Sequence, residues 1–464
     1  MKKILSVLFI VLCMGLCLIP SVGMIFFPTT ETTENKAMAA APQVFTEDGQ
    51  LNKAFFQDFE SWFTEHVALR NQMVYADAMV QTKVFQESNV SGVINGTDGW
   101  LYYASTLDDY LGNAVLSERE LYNLAHNFSV VQEYVEANGT DFVMTIAPNK
   151  NTLYGEHMPY HKSYVVNTDH NAKLLAPYLQ QQNVAYLDLF QLFEQQQEVL
   201  YLLRDSHWNN KGACLAYDAI MDSLELPHED YASTQPKLVK NDNGDLNKML
   251  YSFYGQLEEN YDYGLTQEYV YGTDFESVED GWIITENANG AGKLLMFRDS
   301  FGNTLIPFFS NEFASAYYSK GMPNALEPFM EQYQPDCVVI QKVERNIADY
   351  LDNPPIISAP VAELSNSLTL AKSETTVQAE EFMFNMNYFQ FSGLVDPKRI
   401  ETDSEILVSV NGTLYRAYQK EDTGFFLYLK KDLFTEPSAE VQVYVADGGR
   451  HIQVLNTRID LPQQ

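Results

Sequence analysis

Three side chains in this sequence could together make a hydroxyl nucleophilic: Ser300, His207 and Asp205. Ser300 lies in Lys293-Leu-Leu-Met-Phe-Arg-Asp-Ser-Phe-Gly-Asn-Thr-Leu-Ile-Pro-Phe-Phe309. There a short apolar run, Leu294 to Phe297, reads as a buried strand, and a second run behind Gly302 and Asn303 reads as a helix. A serine at a strand-to-helix turn stands where hydrolases and acyltransferases place a nucleophile. Unpaired backbone N–H groups and the positive helix end lie beside it to receive an oxyanion. A plain helix N-cap accounts for such a serine equally well. A base has to separate the two.

That base is in Tyr201-Leu-Leu-Arg-Asp-Ser-His-Trp-Asn-Asn-Lys-Gly-Ala213. Asp205 and His207 are two apart, so a helix would point them to different sides. An extended or turn segment lets the carboxylate bond one imidazole nitrogen. Asn209 or Asn210 then caps a helix running through Ala213, Ala216 and Ile220. Taken singly, the block reads as a cap carboxylate beside a surface histidine. Taken with Ser300, it completes a nucleophile, a base and an orienting acid. Asn149 and Asn303 are candidates for a second oxyanion donor, and Lys150, Arg298 and Trp208 for further oxyanion or substrate contacts.

The elements that must position these residues alternate between strand and helix. Ser117 with Glu120 forms a capping box for a helix through Val135, which Gly139 ends. Asp141 to Ala147 reads as a buried strand ending at Pro148-Asn149-Lys150. A helix from about Ala172 to Gln182, a strand from Val184 to Leu189 and a helix to about Tyr201 follow. Asp336-Cys-Val-Val-Ile-Gln341 is another buried strand, with Glu344 and Arg345 behind it read as a structural ion pair. This alternation predicts an α/β fold with a parallel sheet and helices on both faces. Sites in such sheets lie beyond the C-terminal strand ends. Asn149, Lys150, Asp205, His207 and Ser300 all follow strands or sit at strand-helix junctions.

The chain divides into 1–28, a signal peptide or membrane anchor; 29–50, a tether; 51–360, the catalytic domain; and 370–464, a β-sandwich. Within the catalytic domain, 225–290 is polar, Tyr-rich and punctuated by Gly, and reads as an insertion walling a substrate groove. In the last unit the alternating runs Glu405–Val410, Gly424–Leu429 and Val441–Val445 are separated by Asn411-Gly412 and Asp447-Gly448-Gly449 turns. At the front, Lys2 and Lys3 precede an apolar run from Ile4 to Phe27, about the length that crosses a bilayer. We read it as an anchor with the bulk of the chain extracytoplasmic, or else as a cleaved signal. The formal net charge of −33 excludes nucleic acid as a partner and docking on anionic lipid through the soluble part. A neutral or glycan substrate is compatible with it. His157 and His161 are separated by Pro159, and Asn241 to Asp245 lacks calcium-loop spacing, so no metal is expected. No cofactor fingerprint occurs. A Cys214–Cys337 disulfide stays open.

Asp205-Ser-His-Trp208 followed by Asn209-Asn-Lys-Gly-Ala213, and Arg298-Asp-Ser-Phe-Gly-Asn-Thr-Leu-Ile-Pro-Phe308, resemble the two signature blocks of the bacterial DHHW family. That family is similar to the SGNH-type alginate O-acetyltransferases of exopolysaccharide export. The order, Asp-x-His before Ser, is the permuted one of those acetyltransferases. The resemblance extends to Glu34-Asn-Lys36, Glu65 to Arg70, Asp98-Gly-Trp-Leu-Tyr102, Pro148-Asn-Lys150 and Gly244-Asp-Leu246. Ser206 replaces the family's first histidine, outside the triad. Arg298 replaces the glycine of Gly-Asp-Ser, at the oxyanion turn. The resemblance implies an SGNH hydrolase-like fold and O-acyl transfer, in the first place O-acetyl transfer, to an exopolysaccharide or cell-wall glycan. It also implies an acyl donor supplied by a membrane-bound O-acyltransferase, and a carbohydrate-binding use for the β-sandwich, to which a plain spacer is the alternative. A carbohydrate esterase and a non-catalytic glycan-binding or assembly protein are the other readings of the whole.

Overall fold

The computed structural model describes all residues except 1, 31–37, 47–48, 252–254, 273, 364–367, 372, 386, 448–449 and 463–464. Glu34-Asn-Lys36 and the glycines of the Asp447-Gly-Gly turn therefore lie outside the described residues. The chain opens with helix α1, Lys2–Gly23, long and apolar enough to cross a membrane. Its apolar side chains from Ile4 to Val22 are largely exposed, unlike those of a core helix, and fit a signal or an anchor.

Helix α2, Glu118–Ala137, starts with the capping box: Ser117 Oγ accepts from Glu120 N and Glu120 Oε2 accepts from Ser117 N. Gly139 ends the segment at φ +73°, a conformation that favours glycine. Seven strands then make the central sheet: β1 Asp141–Ala147, β2 Tyr186–Leu187, β3 Val270–Tyr271, β4 Trp282–Glu286, β5 Lys293–Phe297, β6 Ser315–Ser319 and β7 Cys337–Val343. Their spatial order is β2-β1-β7-β5-β6-β4-β3. The first five in that order are mutually parallel; β4 runs antiparallel to β6, and the edge strand β3 runs antiparallel to β4, so β4 is the reversed strand. The sheet is thus mixed, where an all-parallel one was expected. Both β4 and β3 come from 225–290, so the end of that stretch belongs to the sheet rather than to an insertion. Burial of β4 alternates along the strand, as on a half-covered edge, and its neighbours' polarity hid the signal.

Alternation also sorts the central strands between two cores. Phe142, Met144, Ile146, Leu295, Phe297, Val338 and Ile340 face α2 and helix α3, Asn171–Gln181. Val143, Leu294, Met296 and Val339 face helix α4, Asn210–Ser223, and helix α5, Ile306–Glu312. Cys214 and Cys337 are buried free thiols in this second core.

Beyond the sheet, a four-stranded antiparallel layer and a five-stranded layer, antiparallel except for its edge strand Leu368–Leu370, enclose a third core of Phe389, Phe391, Val408, Phe425, Leu427 and Val443. This sandwich is fastened to α2. Tyr388, Tyr418, Phe426 and Tyr428 share the α2 core, and the buried Arg119 guanidinium donates to Ser404 O (2.7 Å) and Gln419 Oε1 (2.7 Å). Asn127 and Gln419 exchange side-chain-to-backbone bonds at 2.9 and 2.8 Å.

Candidate active site

From β5 the chain crosses to β6 on one side and, through helix α6 (Leu326–Tyr333), returns to β7 on the other. The C-terminal end of β5 is therefore the point where strand order reverses, the position at which open α/β sheets hold their sites. Ser300 follows that end directly. It is the first residue of a 3-10 turn, Ser300–Thr304, and its cap is Asp299 rather than Ser300 itself. The expected continuous helix is this turn followed by the short α5. Asp299 ties the turn to the neighbouring strand: Oδ1 accepts from Phe301 N and Gln341 Nε2, and Oδ2 accepts from Val343 N at 2.6 Å. As the opening residue of the turn, Ser300 keeps an N–H with no intrahelical acceptor.

His207 Nε2 lies 2.8 Å from Ser300 Oγ, and His207 Nδ1 lies 2.7 Å from Asp205 Oδ1. The acid is itself held, Oδ1 accepting from His207 N (2.9 Å) and Oδ2 from Asp245 N (2.7 Å). These partners assign the Nδ1–H tautomer, which leaves the Nε2 lone pair facing the serine hydroxyl. Burial pushes the Asp205 carboxyl up, but the His207 bond and charge and the two backbone N–H groups outweigh it, so its pKa is lowered. Burial in turn lowers the His207 imidazolium, while Asp205, Asp245 and Asp299 together raise it above its ordinary value.

The stretch 225–290 supplies the back of this loop. Asp245 takes the amide and hydroxyl of Ser206, at 2.7 and 2.5 Å. Gly244 packs so closely that an added Cβ would stand 2.2 Å from Arg204 O, which gives Gly244-Asp-Leu246 its glycine. Glu258 accepts from Leu203 N (2.7 Å) and Arg204 N (3.0 Å). None of this was legible along the chain, although the Gly-Asp-Leu motif marked the place. Asp205, His207 and Asp245 also lie close enough to be considered for a metal. Their contacting atoms are engaged in the hydrogen bonds just described.

The other expected contacts prove to be supports. Lys150 is buried, its ammonium donating to Leu101 O (2.7 Å), Leu203 O (2.7 Å) and Asp205 O (3.0 Å). Burial lowers its pKa to about 7, against the raising effect of Glu258, Asp205 and Asp245. Trp208 is buried, donating through Nε1 to Thr304 Oγ1 and meeting Phe301 edge to face, so it joins the two blocks instead of offering a ring to substrate. The Arg298 guanidinium is taken up by Asn303 Oδ1 and by the carbonyls of Val278, Asp280 and Asp299. Asn303 donates to Glu279. Asn149 donates through Nδ2 to Asp109 (3.0 Å) and accepts from Arg345 (3.2 Å). Glu344 and Arg345 do not pair with each other. Glu344 faces His170 (2.8 Å), Thr152 and Asn149 N, and Arg345 lies over Phe301 and Tyr103.

Residues 93–281 match the family described as the SGNH hydrolase-like domain of the acetyltransferase AlgX. The chain is similar to the SGNH-type alginate O-acetyltransferases. A probable alginate O-acetylase AlgJ of Pseudomonas fluorescens is 27% identical over 176 residues, 36% of this chain and 41% of that protein. The chain thus spans about two-fifths of the length of that relative. Among solved structures, Bacillus cereus PatB1 is 16% identical at TM-score 0.43, over 55% of this chain and 96% of that one. A DHHW family protein from Eubacterium siraeum is 17% identical at TM-score 0.39, over 51% and 90%. The family match takes in Asn149, Asp205, His207 and Asp245, and ends before Ser300.

A raised imidazole pKa has a kinetic consequence. A base at His207 must be neutral, so kcat/KM for an ester falls as pH drops through the His207 pKa, above the ordinary 6.5. Asp205→Asn removes the main raising partner, and a nuclear magnetic resonance titration of the His207 ring then moves to lower pH. An unmoved titration would mean that Asp205 does not act on His207.

Proposed function

We propose that this chain is an extracytoplasmic O-acyltransferase, transferring acetyl groups to an exopolysaccharide or cell-wall glycan. The observation that carries the reading is the hydrogen-bonded run from Asp205 through His207 to Ser300 at the C-terminal end of the sheet. In this reading Ser300 Oγ attacks the carbonyl of an acyl donor while His207 Nε2 takes its proton. The same nitrogen returns the proton to the leaving alcohol, and an acyl-serine remains. A sugar hydroxyl then attacks that ester, giving its proton to Nε2, and Ser300 leaves with the proton restored. Asp205 stabilises the imidazolium in both halves. Similarity to alginate O-acetylases supports acetyl as the group and a polysaccharide as acceptor. Helix α1 supports a membrane anchor, which would keep the site near a donor supplied by a membrane-bound O-acyltransferase.

The test is to incubate full-length protein with an acetyl ester and a panel of glycans, then measure free acetate and acetylated sugar separately. Acetylated sugar appearing in step with ester loss supports transfer. Free acetate alone, undiminished by any glycan, would make the protein an esterase.

A further inference from the structure

Two of the side-chain donors expected beside Ser300 are engaged elsewhere: Asn303 Nδ2 bonds Glu279, and the Arg298 guanidinium bonds Asn303, the Asp299 carbonyl and the 278–280 loop. A different cation stands at the same sheet edge. Ile340 of β7 is in register with Phe297 of β5, and Val343 of β7 with Ala147 of β1. Ser300, Arg345 and Asn149 thus follow the C-terminal ends of three adjacent parallel strands, each about 4.8 Å from the next. The Arg345 guanidinium carbon lies 5.8 Å from the ring centroid of Phe301, the residue after the serine, and that ring lies 4.8 Å from the His207 ring. Tyr103 holds the guanidinium from another side at 5.4 Å.

Among the described residues, Arg345 makes one side-chain hydrogen bond, to Asn149 Oδ1, and no carboxylate lies within ion-pair distance of it. Its sequence neighbour Glu344 is engaged by His170, Thr152 and the Asn149 amide, and the nearby Asp109 carboxylate is held by Asn149 Nδ2. The guanidinium is half-buried and, although the Asp109 charge acts on it across Asn149, it makes no direct ion pair in a chain of net charge −33, which calls for an explanation. We infer that Arg345 is the side-chain half of the oxyanion hole, Ser300 N–H being the other half, and that Asn149 aims it. The inference rests on the acyl-transfer reading above. As the acyl carbonyl becomes tetrahedral, its oxygen gains negative charge, and a fixed guanidinium stabilises that charge more than it does the ground-state carbonyl. A planar fork held by Asn149 and two rings loses little freedom when it engages.

The experiment uses full-length protein in detergent with 4-nitrophenyl acetate, an ester without an anionic group. R345A is expected to lower kcat roughly 10²–10³-fold with little change in KM. R345K, which keeps the charge, should lose less. Added methylguanidinium should restore R345A at least tenfold and leave Ser300→Ala inactive. Parent-like kcat in R345A, a loss confined to KM, or a loss that methylguanidinium does not relieve would overturn the assignment. Ser300→Ala run in parallel separates the failures. If it keeps full activity, the acyl-transfer reading itself falls; if it is inactive while R345A is fully active, only the role of Arg345 falls.

Discussion

Ser300→Ala is expected to turn over an acetyl ester at least about 10⁴-fold more slowly than the parent chain, without loss of fold. Nothing in the packing depends on the hydroxyl. The turn is held by the Asp299 carboxylate on Phe301 N and Val343 N, and by Trp208 on Thr304, all of which the substitution leaves in place. What the alanine removes is the atom 2.8 Å from His207 Nε2. His207→Ala and Asp205→Ala are expected to fall into the same range. A double variant should be scarcely worse than the worst single one, because each residue acts only through the others. A sulfonyl fluoride should label Ser300 in the parent and fail to do so in His207→Ala. Near-normal turnover by Ser300→Ala would remove the nucleophile from the proposal and leave a glycan-binding scaffold as the better account.

The second large effect is expected at Lys150, through the position of the acid and not through substrate. Its three ammonium hydrogens meet three carbonyls, those of Leu101, Leu203 and Asp205. Lys150→Met removes this donor from all three, although Leu203 O keeps the Leu101 amide (2.9 Å), at roughly 1–3 kcal/mol for each carbonyl left unpaired that water cannot reach. Relief from burying an ammonium offsets part of this, as the lowered pKa implies. We expect a net destabilisation on the order of 3 kcal/mol, seen as a lower denaturant midpoint. With the Asp205 carbonyl released, the acid and His207 lose their alignment on Ser300, and a displacement of about 1 Å costs on the order of 10²-fold in kcat. Lys150→Arg should not rescue, since a planar fork cannot meet three converging carbonyls as a tetrahedral ammonium does. A Lys150→Met protein with parent stability and turnover would show that the pin is dispensable.

The local elements of this protein are legible along the chain because each depends on neighbours a few residues away. The capping box at Ser117 and Glu120, the apolar runs Phe142–Ala147 and Leu294–Phe297, and the polar turn bearing Ser300 are all of this kind. So is Asn209 as the cap of α4, where its side chain accepts from Lys211 N and Gly212 N. The pairing of an acid and a histidine two apart with a distant serine was also readable from residue type, since few other trios offer that chemistry.

Tertiary structure decided where the remaining candidates point. Lys150, Arg298 and Trp208 each carry a group suited to a substrate, yet their partners are main-chain carbonyls, Asn303 and Thr304. A backbone carbonyl has no residue identity, so no spacing in the sequence announces it. Asp245 reaches Ser206 across 39 residues, and Arg345 reaches Asn149 across 196. Such contacts exist only once β1, β7 and β5 lie side by side, and that adjacency is set by strand order rather than by any local pattern. For the same reason the sandwich at the C-terminal end looked separable in sequence: the burial of Arg119 and Asn127 against it depends on which face of α2 the folded chain happens to cover.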